Sequence, residues 1–522
     1  MKQSWEQVRE CKRAQQIEAI TQAQEKIQDL DAGRLAELVS PPIASQLVGL
    51  MSKGEATATE VAKAYITSLT EICFNDALTR AAELDGYLKT HGKVVGPLHG
   101  VPVTLKDQFD VKGVDTTIGY VSRCFTPASD DAALVKILRS LGAIIIAKTN
   151  LPQSIMWCET ENPLWGLTTN PLRKTYTPGG STGGESALLS CQGSMLGWGT
   201  DIGGSIRIPA HMMGLYGLKP SSARLPYRGV PVSQDGQEHV PSSVGPLARD
   251  LETILTAMSS VVGARPWDLD PRCAPIPWRQ EEYTEALDRP LTIAVLHDDG
   301  VVRPHPPISR VLRETVDRLR GAGHDIFEWN SDLHPDCVAV MDKFYTIDGG
   351  EDLRSAVLAG GEPFIPHVER LINAGQAISV FEYWQLNKKK VDIQQRYLDK
   401  WLSLVSPNTG RPADVILMPP MPHPAVPHKG CRWVGYTKVW NFLDYPALVL
   451  PGGSVGRQDL SEPFDHEARN LQDEWTGGLW RDRKEEMAEL KLPVGVQLIC
   501  RKLEEEKLMA IGKVVDDVIR SA

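Results

Sequence analysis

No stretch of the 522-residue chain approaches the ~18 consecutive apolar residues of a membrane helix, and its start carries no secretory apolar core. A membrane or secreted protein is therefore not expected. A basic excess is also missing: 56 Lys and Arg stand against 66 Asp and Glu, for a net charge of −10. Nucleic acid and anionic membrane surfaces thus have no electrostatic claim as partners. The nine cysteines are odd in number and show no paired spacing, which excludes a disulfide framework and fits reduced thiols in the cytoplasm. Flexible linkers and internal repeats are absent. The glycine-rich segment lacks the Gly-Lys-Ser/Thr of a phosphate-binding loop. What remains is an enzyme-like chain with a small-molecule substrate.

The informative segment runs from Pro178 to Pro220. It sets Ser181 in Gly179-Gly180-Ser181-Thr182-Gly183-Gly184, and Ser205 after Asp201-Ile202-Gly203-Gly204, with no histidine between the serines. A hydroxyl that attacks a carbonyl needs a backbone the substrate can approach closely, which glycine permits. The same glycines let consecutive N–H groups converge on an oxyanion. Between the serines, residues 185–195 have helix composition and would rise roughly 17 Å. Residues 196–204, extended, span at most ~30 Å. A helix out and an extended return can therefore bring the two hydroxyls together, with the positive helix end near Ser181.

Two serines need a base. In Gly96-Pro97-Leu98-His99-Gly100-Val101-Pro102-Val103-Thr104-Leu105-Lys106-Asp107, the alternation of Val101, Val103 and Leu105 predicts a half-buried strand ending at Lys106 on the opposite face. Lys106 can accept a proton only if burial or a neighbouring cation lowers its pKa from ~10.4; a solvated surface lysine is the bland alternative. Gly179 to Gly183 also fits the nucleophile elbow of α/β-hydrolases, which would make Ser181 the nucleophile, but no HGGG-type segment accompanies it. His99 is expected to be structural, Asp201 and Arg207 to pair and stiffen the loop, and Cys158 and Cys191 to be ordinary buried thiols.

PGGSTGGE followed by GTDIGGSIRIP resembles the signature of the amidase-signature hydrolases, and GPLHGVPVTLKD resembles the segment bearing their lysine. The resemblance implies a Ser-cisSer-Lys triad with Lys106 as base, Ser181 behind a cis peptide bond, and Ser205 as nucleophile. Residues 134–154, 242–254 and 492–500 extend the likeness along nearly the whole chain. QSWEQ, PWRQ, PHPPI and MPPMPHPAVPH are similar to the fungal acetamidases and general amidases. Thr182 and Cys500 depart from the usual serine and glycine. The implied reaction is hydrolysis of an amide to an acid and ammonia or amine through an acyl-Ser205. The N–H groups of Ile202, Gly203, Gly204 and Ser205 would hold the oxyanion, Ile155, Met156 and Trp157 would line the acyl pocket, and Ile118 to Tyr120 would form another wall. Neither metal nor organic cofactor has a role in that scheme. Small aliphatic or arylacetic primary amides are the expected substrates. The alternatives are an amidotransferase subunit of a complex and a specialised-pathway amide hydrolase, and a homodimer is a family-level expectation.

The resemblance also implies the architecture: α/β, one large domain with a mixed central sheet wrapped by helices, over residues 61–522. A helical N-terminal region, residues 1–60, precedes it, with Trp5, Val8, Ile17, Ile20, Ile27 and Leu30 as a broken apolar stripe. Residues 291–296, 309–320 and 324–329 read as strand, helix and strand, a right-handed βαβ unit if parallel. Residues 457–489 are highly charged and weakly periodic, and read as a surface excursion before a strand at 494–499.

Overall fold

The computed structural model describes residues 3–26, 32–40, 43–66 and 73–521. Its strands are β1 (Pro102–Lys106), β2 (Ile144–Thr149), β3 (Glu161–Asn162), β4 (Gly166–Leu167), β5 (Leu196–Asp201), β6 (Tyr216–Lys219), β7 (Ser243–Ala248), β8 (Thr292–Val295), β9 (Asp325–Glu328), β10 (Val415–Met418), β11 (Ala447–Ser454) and β12 (Pro493–Ile499). Ten of them form one sheet in the order β2-β1-β5-β7-β6-β11-β12-β10-β8-β9, while β3 and β4 make a small hairpin. The sheet is mixed. β1 lies parallel to both β2 and β5, and β8 is parallel to β9 and β10, whereas the centre is antiparallel. Helices cover both faces, as the resemblance implied.

Full coverage corrects one expectation. Every residue of β1 is buried, not only the alternating Val101, Val103 and Leu105. A strand between two parallel neighbours has both faces covered by the crossover helices, so its polar residues are buried with the rest. The βαβ unit is observed as β8, the helix Pro306–Gly321 and β9, in parallel register. Pro306 and Pro307 open that helix, where a missing N–H costs no internal bond.

Two other segments differ from the sequence reading. The helix after Ser181 spans Gly183–Ser190, two residues earlier at its start and five at its end. Gly183 and Gly184 open it, and a Cβ on either would crowd Thr160 Oγ1 or the Asn150 backbone, so neither position has room for a side chain. The charged stretch 457–489 is not an irregular excursion: Leu471–Glu489 is a helix, capped by the Asn470 side chain, that buries Trp480 and Met487. Apart from the buried Asp473, its charged residues are exposed or half-buried, and Gly477 and Gly478 mask its periodicity.

The N-terminal helix, Trp5–Lys26, docks through its first half. Trp5 and Val8 pack against Val121, Cys124 and Leu164, Lys12 pairs with Asp115 at 2.8 Å, and Arg13 Nε donates to the Leu164 carbonyl. Ile17 is 63% exposed, so the apolar stripe is not continuous, and Ile27 and Leu30 lie outside the described residues. A second helix, Ala58–Ile66, runs across residue 60 and packs on β1 and β2. Among the described residues no helix is long and apolar enough to cross a membrane.

Candidate active site

Lys106 is the last residue of β1 and Thr200 lies near the end of adjacent β5, so sheet pairing itself sets the two side chains together. Lys106 Nζ is fully buried, 2.6 Å from Ser181 Oγ and 3.0 Å from Thr200 Oγ1. The Gly180–Ser181 peptide is cis. The next residue, Thr182, donates its N–H to the Ser205 carbonyl at 3.1 Å, which seats the second serine loop on the first. Helix out and strand back thus bring Ser181 and Ser205 together as the spacing allowed.

Burial pushes the Lys106 pKa down to about 7, against the pull of Asp201 and Glu185. Hydrogen-bond counting explains why those two acids do not hold it protonated. Ser194 Oγ donates to the Leu196 carbonyl at 3.1 Å, so it must accept from Thr104 Oγ1, 2.9 Å away. Thr104 also lies 2.5 Å from Glu185 Oε2, and its single hydrogen cannot serve both contacts, which leaves a place for a proton on the carboxyl. Burial raises the Glu185 pKa to about 8, which agrees. Asp201 is committed elsewhere: it forms a fully buried ion pair with Arg207 at 3.0 Å and accepts from Asn441 Nδ2 at 2.8 Å. That pairing bears out the expected stiffening salt bridge.

Asp201 also shapes the loop that carries Ser205. Its carboxylate accepts the N–H groups of Gly204 at 2.8 Å and Ile206 at 3.1 Å. The Gly204 amide is therefore engaged, while Ile202, Gly203 and Ser205 border the adjoining cavity. Gly204 has φ +130°, and a Cβ there would meet Thr437 Oγ1 at 2.3 Å, so only glycine fits.

That cavity, about 220 Å³, is lined by Ile155, Met156, Trp157, Gly180 and Ser205 among others. Ile118 and Tyr120 are not among its walls. They pack behind Ile155 in a separate cluster. Cys158 reaches the cavity but donates its thiol to the Cys431 carbonyl, and Cys191 is exposed. His99 is buried, with Nδ1 accepting the Val95 N–H. Among the described residues no histidine hydrogen-bonds to either serine; His211, nearest in sequence, is tied to the His423 carbonyl and the Gly495 N–H. A larger cleft, about 780 Å³, lies along Tyr227 and Arg272 and is lined by none of Lys106, Ser181 and Ser205.

A family model described as Amidase matches residues 56–509. The chain belongs to the amidase-signature family. Amidase 1 of Gibberella moniliformis is 50% identical over 484 residues, covering 91% of this chain and 92% of that protein. The acetamidase of Emericella nidulans is 37% identical over 552 residues, covering 99% and 100%. The solved structure of a fatty acid amide hydrolase superposes with a TM-score of 0.85 at 29% identity, over 99% of this chain and 91% of that one. This amidase is thus an enzyme that hydrolyses amides.

Several residues of the amidase site escaped the sequence reading. Thr200, Gln108 and Glu185 lie inside or beside the motifs but carry no signature of their own. Arg207 is held by Asn441 Oδ1, the Thr437 carbonyl and Gln497 Oε1, partners 234, 230 and 290 residues away, which no local pattern signals. Tyr345 donates to the Ile202 carbonyl at 3.0 Å and closes one side of the cavity.

Proposed function

We propose that this amidase cleaves small aliphatic or arylacetic primary amides to the acid and ammonia through an acyl-Ser205, with Ser181 and Lys106 moving the proton. The supporting observation is the buried Lys106 amine, 2.6 Å from Ser181 and poised near neutral pH. Thr200 donates its hydrogen to Gln108 Oε1 at 2.6 Å, so its oxygen accepts from Lys106. An N–H of the neutral amine is thereby directed at Thr200, and the lone pair is left to face Ser181.

The reaction then follows. Ser205 Oγ bonds to the amide carbon, its proton passes to Ser181, and the Ser181 proton passes to Lys106. The carbonyl oxygen takes up negative charge and is received by the N–H groups of Ile202, Gly203 and Ser205, with Gly204 anchored on Asp201. Collapse breaks the C–N bond as Lys106, through Ser181, returns the proton to the departing nitrogen, releasing ammonia. Water attacks the ester by the same route, and the acid leaves with Ser205 restored.

The test is ammonia release from a panel of primary amides by wild type, Ser205→Ala and Lys106→Ala. Turnover abolished in both variants is expected. Turnover that survives Ser205→Ala would move the nucleophile elsewhere, and long-chain amides cleaved without acetamide or phenylacetamide would sink the substrate assignment.

A further inference from the structure

Three ionic side chains line the cavity beside Ser205: Asp342, Arg432 and Lys438. Two cancel, because Lys438 Nζ lies 2.6 Å from Asp342 Oδ1. Arg432 has no carboxylate partner among the described residues. Its guanidinium lies over the Trp475 ring, 3.2 Å from the centroid, which covers one face and leaves the N–H edge available. Trp475 is itself fixed, with Nε1 donating to the Gly430 carbonyl at 2.9 Å. The cation is therefore held in place without being neutralised.

The surroundings reinforce that charge. Arg370 acts on Arg432 strongly enough to lower its pKa further, beyond the effect of partial burial. Arg370 and Lys429 also form no ion pair among the described residues, and both bear on His367, which stacks on Trp157 at 4.7 Å. Burial keeps His367 neutral. Of the other acids close by, Glu159 is buried with its pKa pushed up to about 7 by burial and by Glu161, and it accepts the Lys429 and Cys431 N–H groups. A chain of net charge −10 thus presents a cationic rim at this mouth.

We propose that the cavity selects amides whose short acyl chain ends in a carboxylate, with Arg432 as the specificity-determining residue that receives it. This rests on the amide-hydrolase reading above. A guanidinium edge pairs with a carboxylate through two parallel hydrogen bonds, which fixes orientation as well as affinity. The cavity, at about 220 Å³, is smaller than the ~300–1,000 Å³ of drug-sized sites, so the acyl chain is short. The half-amide of a small dicarboxylic acid meets both conditions.

A matched pair of substrates tests the idea: succinamate, and 4-methylpentanamide, whose isopropyl group has the shape of the carboxylate without its charge. Wild type is expected to show the higher kcat/KM on succinamate. Arg432→Gln should lower the ratio of the two values about 10- to 100-fold, the loss of a charged hydrogen-bonded pair, and Arg432→Lys should retain part of it. A wild-type preference for the neutral amide, or a ratio that Arg432→Gln leaves unchanged, overturns the proposal. Turnover of acetamide with neither member of the pair cleaved overturns it too, while leaving amide hydrolysis intact. No ammonia from any amide, with a native circular dichroism spectrum, would instead remove the reading on which it rests.

Discussion

Thr200 accepts a hydrogen bond from Lys106 and cannot return one, because its single hydrogen is given to Gln108. The orientation of the Lys106 amine is thus set by a neutral hydroxyl rather than by a carboxylate. A carboxylate there would hold the lysine charged. Thr200→Val is expected to lower kcat about 10-fold with little change in KM, the cost of a misdirected lone pair. Thr200→Ser should restore most of it. Steady-state kinetics on one primary amide checks both.

Because Lys106 must be neutral to accept a proton, kcat/KM should rise with pH through about 7 and level off above it. A stability consequence follows from the same shift. Between about 7 and the ordinary lysine value of 10.5, the unfolded chain holds a proton here that the folded chain lacks. Wild-type stability therefore gains as pH rises through that window. Lys106→Met should be inactive yet more heat-stable than wild type, with an advantage that is greatest at and below pH 7 and shrinks toward 10.5. Thermal melts across that range decide it.

Asp201→Asn removes one partner of a fully buried ion pair and leaves the Arg207 charge uncompensated. A loss of about 3–5 kcal/mol is expected, read as a lower denaturation midpoint. Activity should fall as well, since the asparagine has one acceptor oxygen and cannot serve both the Gly204 and the Ile206 amides, which use different carboxylate oxygens.

Gly204→Ala puts a methyl group into Thr437 at a backbone angle that alanine rarely adopts. Activity should be lost even where the protein still folds, because the strain falls on the residue before Ser205. Pairing it with Thr437→Gly removes the Thr437 contact but neither the one with Ile208 Cδ1 nor the angle, so only partial recovery in an ammonia assay is expected.

Trp157 lines the cavity and leans on His367. Trp157→Ala should enlarge the acyl site and shift kcat/KM toward longer acyl chains by about 10- to 200-fold relative to acetamide. A homologous series of unbranched amides measures the shift.

The parts of this site legible in the sequence are those where the chemistry is contiguous. Ser181, Ser205 and Lys106 sit in glycine-rich or strand-terminal segments whose composition is unusual in itself. Their surroundings could not be read. Asn441 and Gln497 are ordinary residues until folding sets them on Arg207, and Arg432 follows a proline-rich loop with nothing to mark it. The fold was legible where apolar runs were strong, as in β8. It was not in the helix Leu471–Glu489, where charge hides the buried positions, yet that helix supplies the ring beneath Arg432.

The bond from Arg207 to Gln497 has a temporal meaning. Lys106, Ser181 and Ser205 have all been synthesised by residue 205, but the acceptor that helps lock the Ser205 loop is not made until residue 497 of 522. β12, which carries it, is also the strand that joins β11 to β10 across the sheet. A growing chain therefore holds these three residues for most of its synthesis without the frame that aligns them.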